Sequence, residues 1–215
     1  MRLLAICLLA LAVMTTGCAS NSFNTRIQRA SSLILAHNYT EAEIQLKTII
    51  TQYPEKPEPF YLYGLINFAR GNYPECITNF NQAERNGLIT KNDLILEKGI
   101  ALYHTGNRKE AERLLAQSYE STQSVEAAKY LGFVRFETGD AVGAIEPLTR
   151  TAASFKDDVR CHYYLGMTLF SVGRNKESLA AFRKALDIEK DNPEILFLTA
   201  NLYMLNGQPE EAVEL

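Results

Sequence analysis

The chain has 215 residues, enough for one to two ordinary domains or one extended array. Apolar residues make up 47% of it, so the chain can bury a core and is not expected to be disordered throughout. Lys and Arg together number 22 against 25 Asp and Glu, a net charge of −3. Because nucleic-acid binding depends on basic groups that neutralise phosphates, this balance argues against a nucleic-acid partner.

The first residues have the features of a targeting segment. One positive charge at Arg2 precedes an apolar run of eleven residues, Leu3 to Val13. Such a run is too short to cross about 30 Å of hydrocarbon as a helix. A charged start, a short apolar run and then small residues are typical of a secretory signal peptide, assigned to residues 1–17.

The small residues that follow are Thr15, Thr16, Gly17 and Cys18. They resemble the lipobox of bacterial lipoproteins, although Thr15 departs from the usual Leu. This resemblance implies cleavage before Cys18 and lipidation of Cys18 with fatty acids such as palmitate. The polar residues that follow predict a short tether over residues 18–22. Ala19 in place of Asp resembles lipoproteins of the outer membrane that face the periplasm. An ordinary cut after Ala19 is the alternative.

Glycines recur through the rest of the chain at a nearly fixed period. Gly71, Gly106, Gly139, Gly173 and Gly207 follow one another at intervals of about 34 residues. A second set precedes the first four of these by seven residues each: Gly64, Gly99, Gly132 and Gly166. The earlier set falls inside apolar helical patterns and indicates close approach of a second helix. The later set is typical of left-handed helix C-caps.

Two further positions complete the repeat. A small residue lies five residues after the capping position, as at Ala144, and a large apolar residue lies four further on, as at Leu148. Each period therefore predicts a helix, a short turn and an antiparallel second helix. Pro147 falls inside one of these second helices and is expected to kink it.

This pattern resembles the tetratricopeptide repeat. The second repeat carries it best, with Phe60, Tyr63, Gly64, Gly71, Tyr73, Cys76, Phe80 and Ala83. The resemblance implies an all-α fold, a right-handed superhelix or α-solenoid of about five and a half repeats over residues 23–215. The boundaries are 23–56, 57–91, 92–124, 125–158, 159–192 and an incomplete 193–215.

Residues with catalytic or metal-binding spacing are missing from the sequence. His37, His104 and His162 are scattered, and no nucleophile elbow or phosphate loop occurs. Cys76 and Cys161 lie more than two repeats apart, so no intramolecular disulfide is expected. We therefore predict no catalytic residue, no metal site and no cofactor.

A stripe along the first helices is the candidate partner site. In tetratricopeptide proteins these helices line a concave groove, and the stripe occupies positions 5, 9 and 12 of each repeat. Lys129 is its one polar member over four repeats. The others are Tyr61, Leu65, Phe68, Leu96, Ile100, Tyr103, Phe133, Phe136, Tyr163, Met167 and Phe170. Exposed, they would form an apolar patch typical of partner sites; the alternative is that they belong partly to the core.

Three functions remain open on the sequence. The first is a non-enzymatic scaffold or adaptor lipoprotein that binds a protein or peptide in the bacterial envelope. For this the resemblance implies assembly of pili, secretion or outer-membrane machinery. The second is a regulatory or substrate-binding arm of an enzyme whose catalytic part follows Leu215. The third is self-association through an uncovered C-terminal end.

Overall fold

The computed structural model describes residues 22–88 and 92–215. Over these ranges the chain forms twelve α-helices and no strand. The expected signal peptide, Cys18 and all of the tether except Ser22 lie outside the described residues. The helices are α1 Phe23–Leu35, α2 Tyr39–Gln52, α3 Pro57–Ala69, α4 Tyr73–Arg85, α5 Asn92–His104, α6 Arg108–Thr122, α7 Val125–Glu137, α8 Ala141–Ser154, α9 Val159–Ser171, α10 Asn175–Ile188, α11 Pro193–Leu205 and α12 Pro209–Val213.

The helices fall into two compact units that divide after Asn107. Unit 1 holds α1–α5, and unit 2 holds α6–α12. Inside each unit the helices pack in chain order, and the closest pairs are α3 with α4, α7 with α8 and α9 with α10, each formed by the first helix of a repeat (the A helix) and the second (the B helix). The predicted all-α fold of successive helix pairs is confirmed.

The glycines inside the A helices lie where a second helix passes closest. A Cβ atom on Gly64 would lie 2.4 Å from Phe80 Cε1, and one on Gly166 would lie 2.9 Å from Phe182 Cζ. Phe80 and Phe182 are fully buried on the B helices of the same repeats. The predicted packing of a small residue against a large one is therefore confirmed at both positions.

Glycines in left-handed conformations separate the two helices of a repeat, as expected. Their φ angles run from +73° at Gly207 to +91° at Gly139, a region that side chains disfavour. In the first repeat His37 takes this place with a φ of +57°. Its ring hydrogen-bonds the Tyr39 hydroxyl at 2.8 Å from Nδ1, which holds the turn without glycine.

Helix α8 continues through Pro147. A proline cannot donate the hydrogen bond that the carbonyl four residues earlier, that of Gly143, normally accepts. The Arg135 guanidinium on α7 supplies a replacement, because its Nη1 donates to Gly143 O at 3.0 Å. A neighbouring helix thus satisfies the backbone group that Pro147 leaves open.

Within residues 22–88 and 92–215, no helix combines the length and apolar character needed to cross a bilayer.

Candidate protein-binding surface

We call positions 5, 9 and 12 of the A helices the A-helix stripe and describe it separately in each unit. In unit 1 most of its side chains are buried. Tyr61, Leu65, Ile100 and Tyr103 belong to the buried residues, whereas Phe68 and Leu96 are half-buried. In unit 1, therefore, the stripe is mainly core.

Tyr61 shows how a stripe residue becomes core. Its ring lies 5.9 Å from that of Phe80, centroid to centroid, and 1% of its surface is exposed. Burial raises the pKa of its hydroxyl, and the nearby carboxylates of Glu97 and Asp93 add to this effect. A neutral, enclosed tyrosine of this kind stabilises the unit and offers little surface to a partner.

In unit 2 the buried member of the stripe is Phe133, which has no exposed surface. The ring of Tyr164 packs on it with centroids 4.3 Å apart. Cationic side chains flank the same ring: the guanidinium of Arg160 lies 4.9 Å and the ammonium of Lys129 lies 5.9 Å from its centroid. Phe133 is therefore a core residue whose ring makes cation–π contacts with two basic side chains.

Lys129 forms an ion pair with Asp158, the residue that caps α9. Burial by itself raises the pKa of Asp158, but the hydrogen bond and charge of Lys129, together with hydrogen bonds from Cys161, lower the pKa overall. The pair joins the A helix of one repeat to the start of the next. The Lys129 ammonium is thus committed to an internal contact.

The remaining stripe residues of unit 2 are more accessible. Phe136, Tyr163 and Met167 are half-buried, and Phe170 is 41% exposed. In the second repeat the ring of Tyr73, five residues after position 12, packs edge-on against Phe68 at 6.0 Å, centroid to centroid. This neighbour alone does not decide burial at position 12, because Tyr103 is buried although Arg108 stands at the corresponding place.

Tyr163 connects this surface to the next repeat. Its hydroxyl donates to Glu194 Oε1 at 2.6 Å. Burial, and then the hydrogen bond to Glu194, raises the pKa of Tyr163 to about 12. The side chain is therefore neutral at physiological pH, with its ring held on the surface of α9.

Two members of the stripe were missed from the sequence. On α11, Phe197 is 66% exposed and Met204 is 58% exposed. Each lies one repeat length after a stripe residue of α9, Tyr163 and Phe170 respectively. Extending the repeat register by one more period would have found both.

The described ranges hold no group of three or more His, Cys, Asp and Glu residues that could bind a metal ion. Of the histidines, His162 is buried and bonds Lys156 O through Nε2 at 3.0 Å, and His104 stacks on Tyr73 with centroids 4.3 Å apart. Cys76 and Cys161 are free and buried, and burial raises the pKa of both thiols. These side chains contribute to packing.

Comparison with known proteins identifies the fold. The family model described as tetratricopeptide repeat matches residues 169–215. No curated protein sequence matches the chain.

Solved structures match over most of the chain. MamA (AMB-1) is 23% identical over 72% of this chain and 91% of its own, with a TM-score of 0.66. YrrB, described as a tetratricopeptide repeat protein with an unusual peptide-binding site, is 19% identical over 83% of this chain and 98% of its own, with a TM-score of 0.69. PilF of Pseudomonas aeruginosa is 13% identical over 89% of this chain and 87% of its own, with a TM-score of 0.65. At these identities the likeness shows a shared fold.

Proposed function

We propose that this chain, which has the tetratricopeptide repeat fold, is a non-enzymatic adaptor that binds a protein or peptide through the A-helix stripe of unit 2. The observation that carries the proposal is the exposed ring of Phe170 beside the half-buried Met167 and Tyr163. Soluble proteins seldom leave such apolar clusters in water, and aromatic and Met side chains are enriched where partners bind. YrrB, which has the same fold, is described as having a peptide-binding site.

The stripe suits an apolar segment of a partner. Tyr163 and Met167 lie one helical turn apart on α9, and Phe170 lies almost one turn further. A row of this kind matches the spacing of apolar side chains on one face of a partner helix, or alternate side chains of an extended peptide. Phe197 on α11 continues the apolar surface at its repeat-related position.

Selection of peptides tests the proposal. A displayed peptide library is selected on the purified protein, and the affinities of the enriched peptides are measured by fluorescence anisotropy. We expect Met167→Ala combined with Phe170→Ala to weaken binding about tenfold or more, a loss of about 1.4 kcal/mol. Val142→Ala also removes an exposed apolar side chain of unit 2, but off the stripe, and is the matched control.

Circular dichroism establishes that each variant keeps its helices. Peptides that bind the double variant as tightly as the unchanged protein would place the site elsewhere. Failure to enrich any peptide would argue against the adaptor function.

We further propose that the adaptor is held at the bacterial envelope by acyl chains on Cys18, on an outer membrane facing the periplasm. The support is the lipobox-like segment from Thr15 to Cys18 and Ala19 after it. More than one acyl chain is needed for stable anchoring, which lipoprotein modification would supply. Cells labelled with radioactive palmitate should incorporate it into the unchanged protein and not into Cys18→Ala. Equal labelling of the two would rule out this anchor.

A further inference from the structure

Unit 2 contains an open cleft on the opposite side of α9 from the A-helix stripe. It lies between the B helices α8 and α10 and has a volume of about 840 Å³. Leu165 and Leu169 of α9 line it, together with paired alanines from α8 and α10: Ala152, Ala153, Ala180 and Ala181. Leu165 and Leu169 point away from Tyr163 and Met167, because two residues correspond to just over half a helical turn and six residues to about two-thirds of a turn beyond one whole turn.

The preceding pair of B helices, α6 and α8, is bridged by a tyrosine. The hydroxyl of Tyr119 on α6 donates to Glu146 Oε1 on α8 at 2.7 Å. The Arg150 guanidinium lies 5.5 Å from the centre of the same ring. Arg150 also donates to Gln123 O at 2.8 Å, which ties α8 to the end of α6.

The repeat register shows what the open cleft lacks. Ala152 stands one repeat after Tyr119, and Ala180 stands one repeat after Glu146, so neither the ring nor its hydrogen-bond acceptor is present. The cation is retained, because Lys184 stands one repeat after Arg150 and lines the cleft. Its contact is an exposed ion pair with Asp187 at 3.5 Å, a kind of pair that contributes little to stability.

We propose that the cleft between α8 and α10 binds an aromatic side chain of a partner protein. The incoming ring takes the place that Tyr119 fills between α6 and α8. Leucine and alanine side chains supply its apolar contacts, and the Lys184 ammonium supplies a cation for its face. The carboxylate of Asp187, which also lines the cleft, is an acceptor for a tyrosine hydroxyl. The carboxylate of Glu177 already accepts two hydrogen bonds from Arg174, at 2.7 and 2.6 Å.

Small amides of single amino acids test this site without knowledge of the partner. Methyl resonances of Leu165 and Leu169 are followed by NMR while N-acetyl-tyrosine methylamide, the phenylalanine analogue or the leucine analogue is added to the purified protein. We expect saturable shifts with the two aromatic amides in the millimolar range, and binding of the leucine amide about tenfold weaker.

Variants that fill the cleft with a side chain of the protein itself form the second part of the experiment. Ala152→Tyr places a ring at the position equivalent to Tyr119 and should abolish the shifts caused by the aromatic amides. Val142→Tyr adds the same ring to an exposed position of α8 outside the cleft and should leave them unchanged. If Ala152→Tyr loses helicity by circular dichroism, Ala180→Tyr fills the cleft from α10 instead.

Three results would overturn the proposal. The first is the absence of saturable shifts at Leu165 and Leu169 with either aromatic amide. The second is a leucine amide that binds as tightly as the aromatic ones. The third is a folded variant with a filled cleft that still binds them as the unchanged protein does.

Discussion

Gly132 on α7 lies directly against Leu148 on α8: a Cβ atom added to Gly132 would be 2.5 Å from Leu148 Cγ. Real Cβ contacts are essentially never this short, and Leu148 is fully buried, so its side chain has no free space into which to withdraw. The missing methyl group therefore sets how closely these two helices approach. Helix packing explains why a residue with poor helix propensity stands inside α7.

Gly132→Ala should consequently destabilise the protein by about 1–3 kcal/mol, although alanine favours helix more than glycine does. Urea unfolding followed by circular dichroism measures the change. Leu148→Ala in the same chain opens space for the added methyl group, so the double variant should lose less stability than the two single losses combined. Simple additivity would mean that the two residues are not in contact.

For substitutions of Gly139, the expected loss of stability comes from backbone strain alone. Its φ is +91°, and no atom lies within 4 Å of the point where a Cβ would stand, so a side chain meets strain without a clash. Gly139→Val should cost about 1–2 kcal/mol in thermal or urea unfolding. Gly139→Asn should cost less, since asparagine enters the left-handed region more readily. Equal losses for both would point to a different cause.

Arg135 and Pro147 should be energetically coupled through the carbonyl of Gly143. Arg135→Met removes the donor to that carbonyl and should cost about 1 kcal/mol. Pro147→Ala restores a backbone N–H that can donate to the same oxygen. Arg135→Met should therefore cost less in the Pro147→Ala background, as measured by urea unfolding. The Arg135 contact with Glu112 is lost in both backgrounds and cancels in the comparison.

Glu43 should make unit 1 sensitive to acid. Hydrogen bonds from Lys47 and then Arg70 lower the pKa of this carboxyl from 4.5 to about 2. As the pH falls below 4.5 the unfolded chain takes up the proton first, so the stability that Glu43 contributes is lost between about pH 4.5 and 2.

Glu43→Gln should therefore flatten the dependence of unfolding free energy on pH over this interval. Glu55→Gln is the control and should leave the curve unchanged, because Glu55 is exposed and has no ion-pair partner among the described residues. A curve for Glu43→Gln that matches the unchanged protein would contradict the assignment.

The helix pairs could be predicted because glycine reports backbone geometry directly. The spacing from Gly132 to Gly139 marks first a close helix contact and then a left-handed turn, and both depend on the absence of a side chain at one residue. Regular spacing of such residues therefore predicts the fold even where sequence identity to solved structures is low.

The exposure of the A-helix stripe could not be predicted in the same way. Phe133 and Phe170 are both aromatic stripe residues, yet one is fully buried and the other is 41% exposed. The burial of Phe133 depends on a neighbour that another helix supplies, because the ring of Tyr164 packs on it with centroids 4.3 Å apart. Helical spacing in the sequence predicts the same exposure for every position of the stripe. The actual exposure of each side chain is set by packing against side chains that are distant in sequence.

The cleft between α8 and α10 could not be predicted from the sequence for a different reason. Alanines such as Ala152 and Ala180 are common in helices, so their presence alone does not indicate a binding site. They become informative only beside Tyr119 and Glu146 at the same repeat positions, whose contact the structure shows.

The two buried thiols give each unit its own chemical reporter. Cys76 lies in unit 1 and Cys161 in unit 2, and the raised pKa of each leaves almost no reactive thiolate in the folded state at neutral pH. An alkylating reagent such as iodoacetamide can modify either cysteine only after the surrounding helices separate. Peptide mapping of the two sites during progressive denaturation would thus record separately when each half of the array opens, without any engineered label.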